Sequence, residues 1–176
     1  MKNKIITAAI LSSSILFADT IYVSNEKDNT ISVIDSLTNT VTETIKVGQR
    51  PRGILLNNDK TQLYICASDD DTVQVLDLKT KKIIYNLPSG EDPEQFALTP
   101  DGKELYVSNE DDAIVTVVDT VNRSVVTQIE VGVEPEGMAV SPDGTVAINT
   151  TETSNFLHWI DTKTKKIIHN TLVDQR

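Results

Sequence analysis

Carboxylates gather at two recurring places in this chain. Asp69-Asp70-Asp71 and Glu110-Asp111-Asp112 follow apolar runs, and the corners around Pro93 and Pro135 carry Asp92 with Glu94 and Glu134 with Glu136. Such groups can form salt bridges, ligate a hard cation through oxygen, or dock a basic partner. Asp69-Asp70-Asp71 is the candidate calcium position, although its spacing lacks a defined ligand loop. Arg50 and Arg52 stand in the columns that hold Asp92 and Glu94 in the next copy, and Glu134 and Glu136 in the one after. Two guanidiniums among so many carboxylates imply bidentate pairing or an anionic ligand, and pairing is favoured because partners are plentiful. The histidines, His158 and His169, lack metal-ligand spacing. His158 shares a polar column with Ser32, Gln74 and Thr116, which predicts a structural hydrogen bond. The sequence holds no haem-attachment Cys-x-x-Cys-His, no Gly-rich phosphate loop and no nucleophile elbow. Cys66, the lone cysteine, sits in Leu63-Tyr64-Ile65-Cys66-Ala67 and reads as a buried thiol.

These residues must be positioned by a repeat. Asp35, Asp77, Asp119 and Asp161 are spaced 42 residues apart, and Gly48, Gly90 and Gly132 keep the same step. So do Pro51, Pro93 and Pro135, and the turn residues Asp59, Asp101 and Asp143. Within each unit the short runs are β-branched, as in Val73-Gln74-Val75-Leu76 and Val115-Thr116-Val117-Val118. Pro100-Asp101-Gly102 and Pro142-Asp143-Gly144 are tight turns, with proline presetting φ and glycine accepting a positive one. No segment has helical periodicity. Four short strands per 42-residue unit predict a β-propeller blade. A β-helix would need shorter coils and no repeated Gly-x-x-Pro corner.

The N-terminus reads differently. A basic Met1-Lys2-Asn3-Lys4 start, an apolar run from Ile5 to Phe17 and a small Ala18 form a secretory signal pattern over residues 1–18. The propeller repeats then cover residues 19–176, and the expected location is periplasmic or secreted. Removing Lys2 and Lys4 leaves 14 basic against 26 acidic side chains, a charge of −12. So acidic a chain repels nucleic acid and anionic membranes and suits a cationic partner or solubility alone. With one cysteine, no intrachain disulfide can form.

Leu105-Tyr106-Val107-Ser108-Asn109, Val117-Val118-Asp119, Val131-Gly132 and Pro135-x-Gly137 resemble the YVTN repeat of bacterial β-propellers. Asn25-Glu26-Lys27-Asp28-Asn29-Thr30, Gly48-Gln49-Arg50-Pro51-Arg52-Gly53 and His158-Trp159-Ile160-Asp161 resemble the subgroup associated with PQQ-dependent catabolism. The resemblance implies an all-β fold of three full four-stranded blades plus one partial N-terminal blade, an open half of a roughly seven-bladed ring. It places strand A of each blade beside the central channel, at 52–57, 94–99 and 136–141. The chain is therefore expected to be a truncated product, a fragment or half of an assembly, with blade edges open to self-association. The acidic loops and corners share one face and several lysines share the other.

The implied role is a non-catalytic docking module linked to PQQ-dependent alcohol oxidation, without a bound cofactor. Its partner would be a basic periplasmic protein such as a c-type cytochrome or a quinoprotein dehydrogenase. The docking residues would be Arg50, Arg52, Asp69, Asp70, Asp71, Asp92, Glu94, Glu110, Asp111, Asp112, Glu134 and Glu136. The alternative is an enzyme fragment of haem d1 or lactonase type; the haem version needs His158 or His169 as an axial ligand near the channel. Trp159, in a valine column, is expected to fill an inter-blade gap.

Overall fold

The computed structural model describes residues 19–173; the signal segment expected over 1–18 and positions 174–176 lie outside the described residues. Blade 1 is three-stranded: β1 (Thr20–Asn25), β2 (Thr30–Asp35) and β3 (Thr40–Lys46). Blade 2 comprises β4 (Pro51–Leu56), β5 (Gln62–Ala67), β6 (Thr72–Asp77) and β7 (Lys82–Pro88). Blade 3 comprises β8 (Pro93–Leu98), β9 (Glu104–Asn109), β10 (Ile114–Asp119) and β11 (Ser124–Glu130). Blade 4 comprises β12 (Pro135–Val140), β13 (Val146–Thr151), β14 (Phe156–Asp161) and β15 (Lys166–Leu172). Every pairing is antiparallel between sequence neighbours, so each blade is a meander. Among the described residues the only helical element is the 3₁₀ turn Ser68–Asp70, and no helix is long and apolar enough to cross a membrane.

The strings that repeat in sequence repeat in structure. The third and fourth strands slip register at the same column in each four-stranded blade, between Val75 and Leu76, Val117 and Val118, and Trp159 and Ile160. Blade 1 has the same bulge between Val33 and Ile34. A bulge bends the strand and increases its local twist. The innermost strands start at the corner prolines, one residue earlier than the sequence indicates. Proline fits the first position of an edge strand, where no ladder donor is required.

Blades stack face to face, and each contact buries an apolar cluster. Ile31 and Val33 of blade 1 meet Leu63, Ile65 and Leu76 of blade 2. Tyr64, Val73 and Val75 of blade 2 meet Leu105, Val107 and Val118 of blade 3. Tyr106, Val115 and Val117 of blade 3 meet Ala147 and Ile160 of blade 4. Cys66 is wholly buried in the second cluster, and burial pushes its thiol well above the ordinary range, as expected of a structural cysteine.

The same stacking orients the tryptophan column. Val33, Val75 and Val117 look toward the following blade and are buried, whereas Trp159, in the same column, lies on the outward face of blade 4 and is only half-buried. Its indole Nε1–H donates to Thr171 Oγ1, 3.1 Å away, on the adjacent strand. Trp159 fills no inter-blade gap among the described residues. Blade 1 leaves Ile21 and Val23 exposed on its opposite face. The four sheets form an open array.

Candidate functional site

Each innermost strand is entered through a Gly-x-x-Pro corner; all three corners are clamped by their own blade's loop, and the first two also by the preceding blade. Gln49 N donates to Asp70 Oδ2 (2.8 Å), Glu91 N to Asp112 Oδ2 (2.8 Å) and Val133 N to Ser154 Oγ (2.6 Å). The next corner residue is held by the preceding blade: Arg50 N donates to Asn29 Oδ1 (2.9 Å) and Asp92 N to Asp71 Oδ1 (3.0 Å). Arg50, Asp92 and Glu134 all keep a left-handed backbone, with φ of 48°, 47° and 58°, uncommon for non-glycine residues, and at Arg50 and Asp92 the clamp from the preceding blade holds it. The corner glycine is required by the same contact. A Cβ on Gly90 would lie 2.7 Å from Asp112 Oδ2.

One backbone bond then brings each corner beside its own blade's loop. Ser68 N donates to Arg50 O, Glu110 N to Asp92 O and Glu152 N to Glu134 O. The residues at these positions, together with the one two residues past the corner, form an equivalent set in each blade. The set is Arg50, Arg52 and Ser68 in blade 2, Asp92, Glu94 and Glu110 in blade 3, and Glu134, Glu136 and Glu152 in blade 4.

The two guanidiniums of blade 2 bridge its neighbours. Arg50 pairs with Asp92 of blade 3 and, through Nε at 2.9 Å, with Asp69 of its own blade. Arg52 pairs with Glu94 of blade 3 at 2.5 Å and Glu26 of blade 1 at 3.4 Å. The pairing expected from sequence is present, and it reaches Asp92, Glu94, Asp69 and Glu26. Carboxylate pairing raises both arginines, with the Asp92 hydrogen bond the largest cause at Arg50; at Arg52 the Glu94 and Glu26 charges outweigh a larger single burial effect.

Glu94 is the unusual member. It is 2% exposed, and burial pushes its carboxyl up to about 7, against the pull of Arg52 and with a further push from Asp92 and Glu110. Its Oε1 is buried and accepts no hydrogen bond. One carboxylate oxygen each from Asp92, Glu94 and Glu110 come within 4.8 Å of one another.

The sequence-derived docking residues thus divide. Asp70, Asp71 and Asp112 clamp corner amides, Asp69 and Asp92 hold Arg50, and Glu94 holds Arg52. Glu134 accepts from Thr153 Oγ1. Asp111 stays exposed at the loop tip. The carboxylates that converge are Asp92, Glu94 and Glu110, whereas Asp69-Asp70-Asp71, the calcium position read from sequence, is tied into these structural contacts. Glu94 stood among the docking residues; its burial was illegible, because a column that holds Arg52 one copy earlier gives no sign of it.

His158 behaves as its column implies. Gly132 N donates to Nε2 at 3.1 Å, and Nδ1 lies 2.8 Å from Asn170 Oδ1, which requires the Nδ1–H tautomer. Gln74 does the same work for Gly48 N at 2.7 Å. The opposite face carries cationic contacts instead. Lys165 pairs with Glu104 and reaches Tyr106 Oη at 2.8 Å. Lys81 stacks over Tyr22 and Arg123 over Tyr85, each from the following blade.

The family model of the YNCE-like beta-propeller matches residues 3–110. The family model of the cytochrome D1 heme domain matches residues 57–172. Among solved structures, hydrazine synthase of Kuenenia stuttgartiensis superposes with a TM-score of 0.80 at 26% identity, covering 88% of this chain and 46% of that one. The chain thus spans less than half the length of that relative. No curated protein matches it.

Proposed function

We propose, for a chain that belongs to the YNCE-like β-propeller family, a non-catalytic role in which the acidic corner-and-loop face docks a basic protein. The observation that carries this reading is the rigidity of that face. Its backbone is clamped at successive corners by loop side chains, so the carboxylates it presents, Glu91 and Asp111 among them, project from a fixed surface. A preformed charged surface steers a partner of opposite charge with little ordering cost. The net charge of −10 favours the same partner class.

The finer identity is also a proposal. Strings resembling the PQQ-associated subgroup support a partner in PQQ-dependent alcohol oxidation, a basic c-type cytochrome or a quinoprotein dehydrogenase. The signal pattern at 1–18 supports a periplasmic setting. The test is titration with a basic c-type cytochrome at rising salt. Binding should weaken steeply with ionic strength, and Glu91→Lys with Asp111→Lys should weaken it further. Binding that ignores both salt and these substitutions, or no binding at low salt, refutes the reading.

The cytochrome D1 heme domain match raises haem binding as a second reading. The histidines present do not fit it. Both ring nitrogens of His158 are engaged within the chain, and His169 is exposed on the outer strand β15. Neither offers an imidazole beside the innermost strands.

A further inference from the structure

We propose that Asp92, Glu94 and Glu110 form a binding site for a hard divalent cation of the calcium class, built within blade 3 at the entrance to β8. Three oxygens within 4.8 Å of one another are close enough to share one ion at ordinary calcium–oxygen distances. An acidic cluster alone would not carry this assignment. The added observation is Glu94 Oε1, an oxygen on a side chain 2% exposed that accepts no hydrogen bond. Arg50 Nη2 lies 3.8 Å from it, beyond hydrogen-bonding reach, while Arg52 engages the other oxygen, Oε2, at 2.5 Å. A buried carboxylate oxygen without a donor is costly unless a ligand or proton meets it.

The local charge supports a cation in that place. Arg50 and Arg52 are shared among Asp69, Asp92, Glu94 and Glu26, and among the described residues neither reaches Glu110. Five carboxylates face two guanidiniums. The three converging groups are oxygen ligands without nitrogen or sulfur, which selects calcium or magnesium over zinc or copper. Their positions are set by backbone, since Glu110 N donates to Asp92 O at 2.9 Å and Asp92 N is fixed by Asp71. The site is therefore preorganised, with water left to complete the coordination. Blade 2 lacks it, because Arg50, Arg52 and Ser68 fill the equivalent positions.

Calorimetric titration of the full chain with calcium chloride, paired with thermal unfolding in about 1 mM calcium, tests the assignment. The expected result is one-site binding and a raised Tm. Glu110→Gln should weaken binding at least about ten-fold, since ligand charge sets calcium affinity. This variant keeps its shape and removes no hydrogen bond recorded for the side chain, and circular dichroism checks that it folds; Glu94→Gln, read in the same way, is the second variant. Asp111→Asn, in the same loop but outside the cluster, should bind as the parent does. Absence of calcium binding, binding that Glu110→Gln and Glu94→Gln leave intact, or equal weakening by Asp111→Asn overturns the proposal.

Discussion

In blade 2 the corner carries Arg50 and Arg52 with Ser68 in the facing loop; in blade 3 the same columns carry Asp92, Glu94 and Glu110. The backbone is the same in both: a left-handed residue at the corner, a clamp from the neighbouring loop and a bond from loop amide to corner carbonyl. Only the side chains differ. Blade 2 becomes a cationic clasp reaching into both neighbours, and blade 3 becomes the acidic pocket it grips. A repeat can therefore keep one scaffold and change chemistry copy by copy, because the corner geometry depends on backbone bonds and small loop acceptors. The charges at 50, 52, 92 and 94 are not needed to form it.

The largest expected effect comes from separating the two blades' charges. Arg52→Ala leaves Glu94 buried without its counter-ion and should cost about 3 kcal/mol, read by urea unfolding. Arg52→Ala combined with Glu94→Gln should recover much of that loss; failure to recover would mean that Arg52 acts through packing alone. Next, Val117→Ala in the sealed contact between blades 3 and 4 should cost about 2 kcal/mol. Trp159→Ala, in the same column on the open face, should cost less despite the larger side chain, and the reverse order would show that this face is covered in solution. Smaller again are the clamps. Asp112→Ala in blade 3 and Ser154→Ala in blade 4 should each cost about 1 kcal/mol, because each removes a bond to the equivalent corner amide, Glu91 N and Val133 N.

The turn aspartates should act in acid and in every blade alike. Hydrogen bonds from Ser141 and Thr145 lower Asp143 to about 2, and Asp77, Asp119 and Asp161 are lowered by their own turns. A carboxyl held below its ordinary value adds stability at neutral pH, and that contribution disappears as pH falls from about 3.8 through 2. Asp143→Asn should therefore flatten the acid limb of a stability–pH curve slightly and leave Arg52→Ala as costly as before.

Much of this was legible in the sequence, and each legible part has a local cause. The Pro-Asp-Gly turns and the Gly-x-x-Pro corners act within a few residues, so they announce the strand boundaries. The 42-residue spacing of the Asp column announces the blade. His158 was readable because its column is polar in each copy. For Trp159 the column announces the face it occupies, but its packing depends on a neighbouring blade, not on residue type.

The sequence by itself determined the repeat, the strands and the face on which the acids gather, because these follow from local turn chemistry and periodicity. Tertiary structure alone decided which carboxylates are clamps, which are ion pairs and which is buried. Asp71 and Asp92 are 21 residues apart and Arg50 and Asp92 are 42 apart. They meet only because blades stack so that one blade's loop lies against the next blade's corner, and that stacking is set by apolar clusters far from any charge.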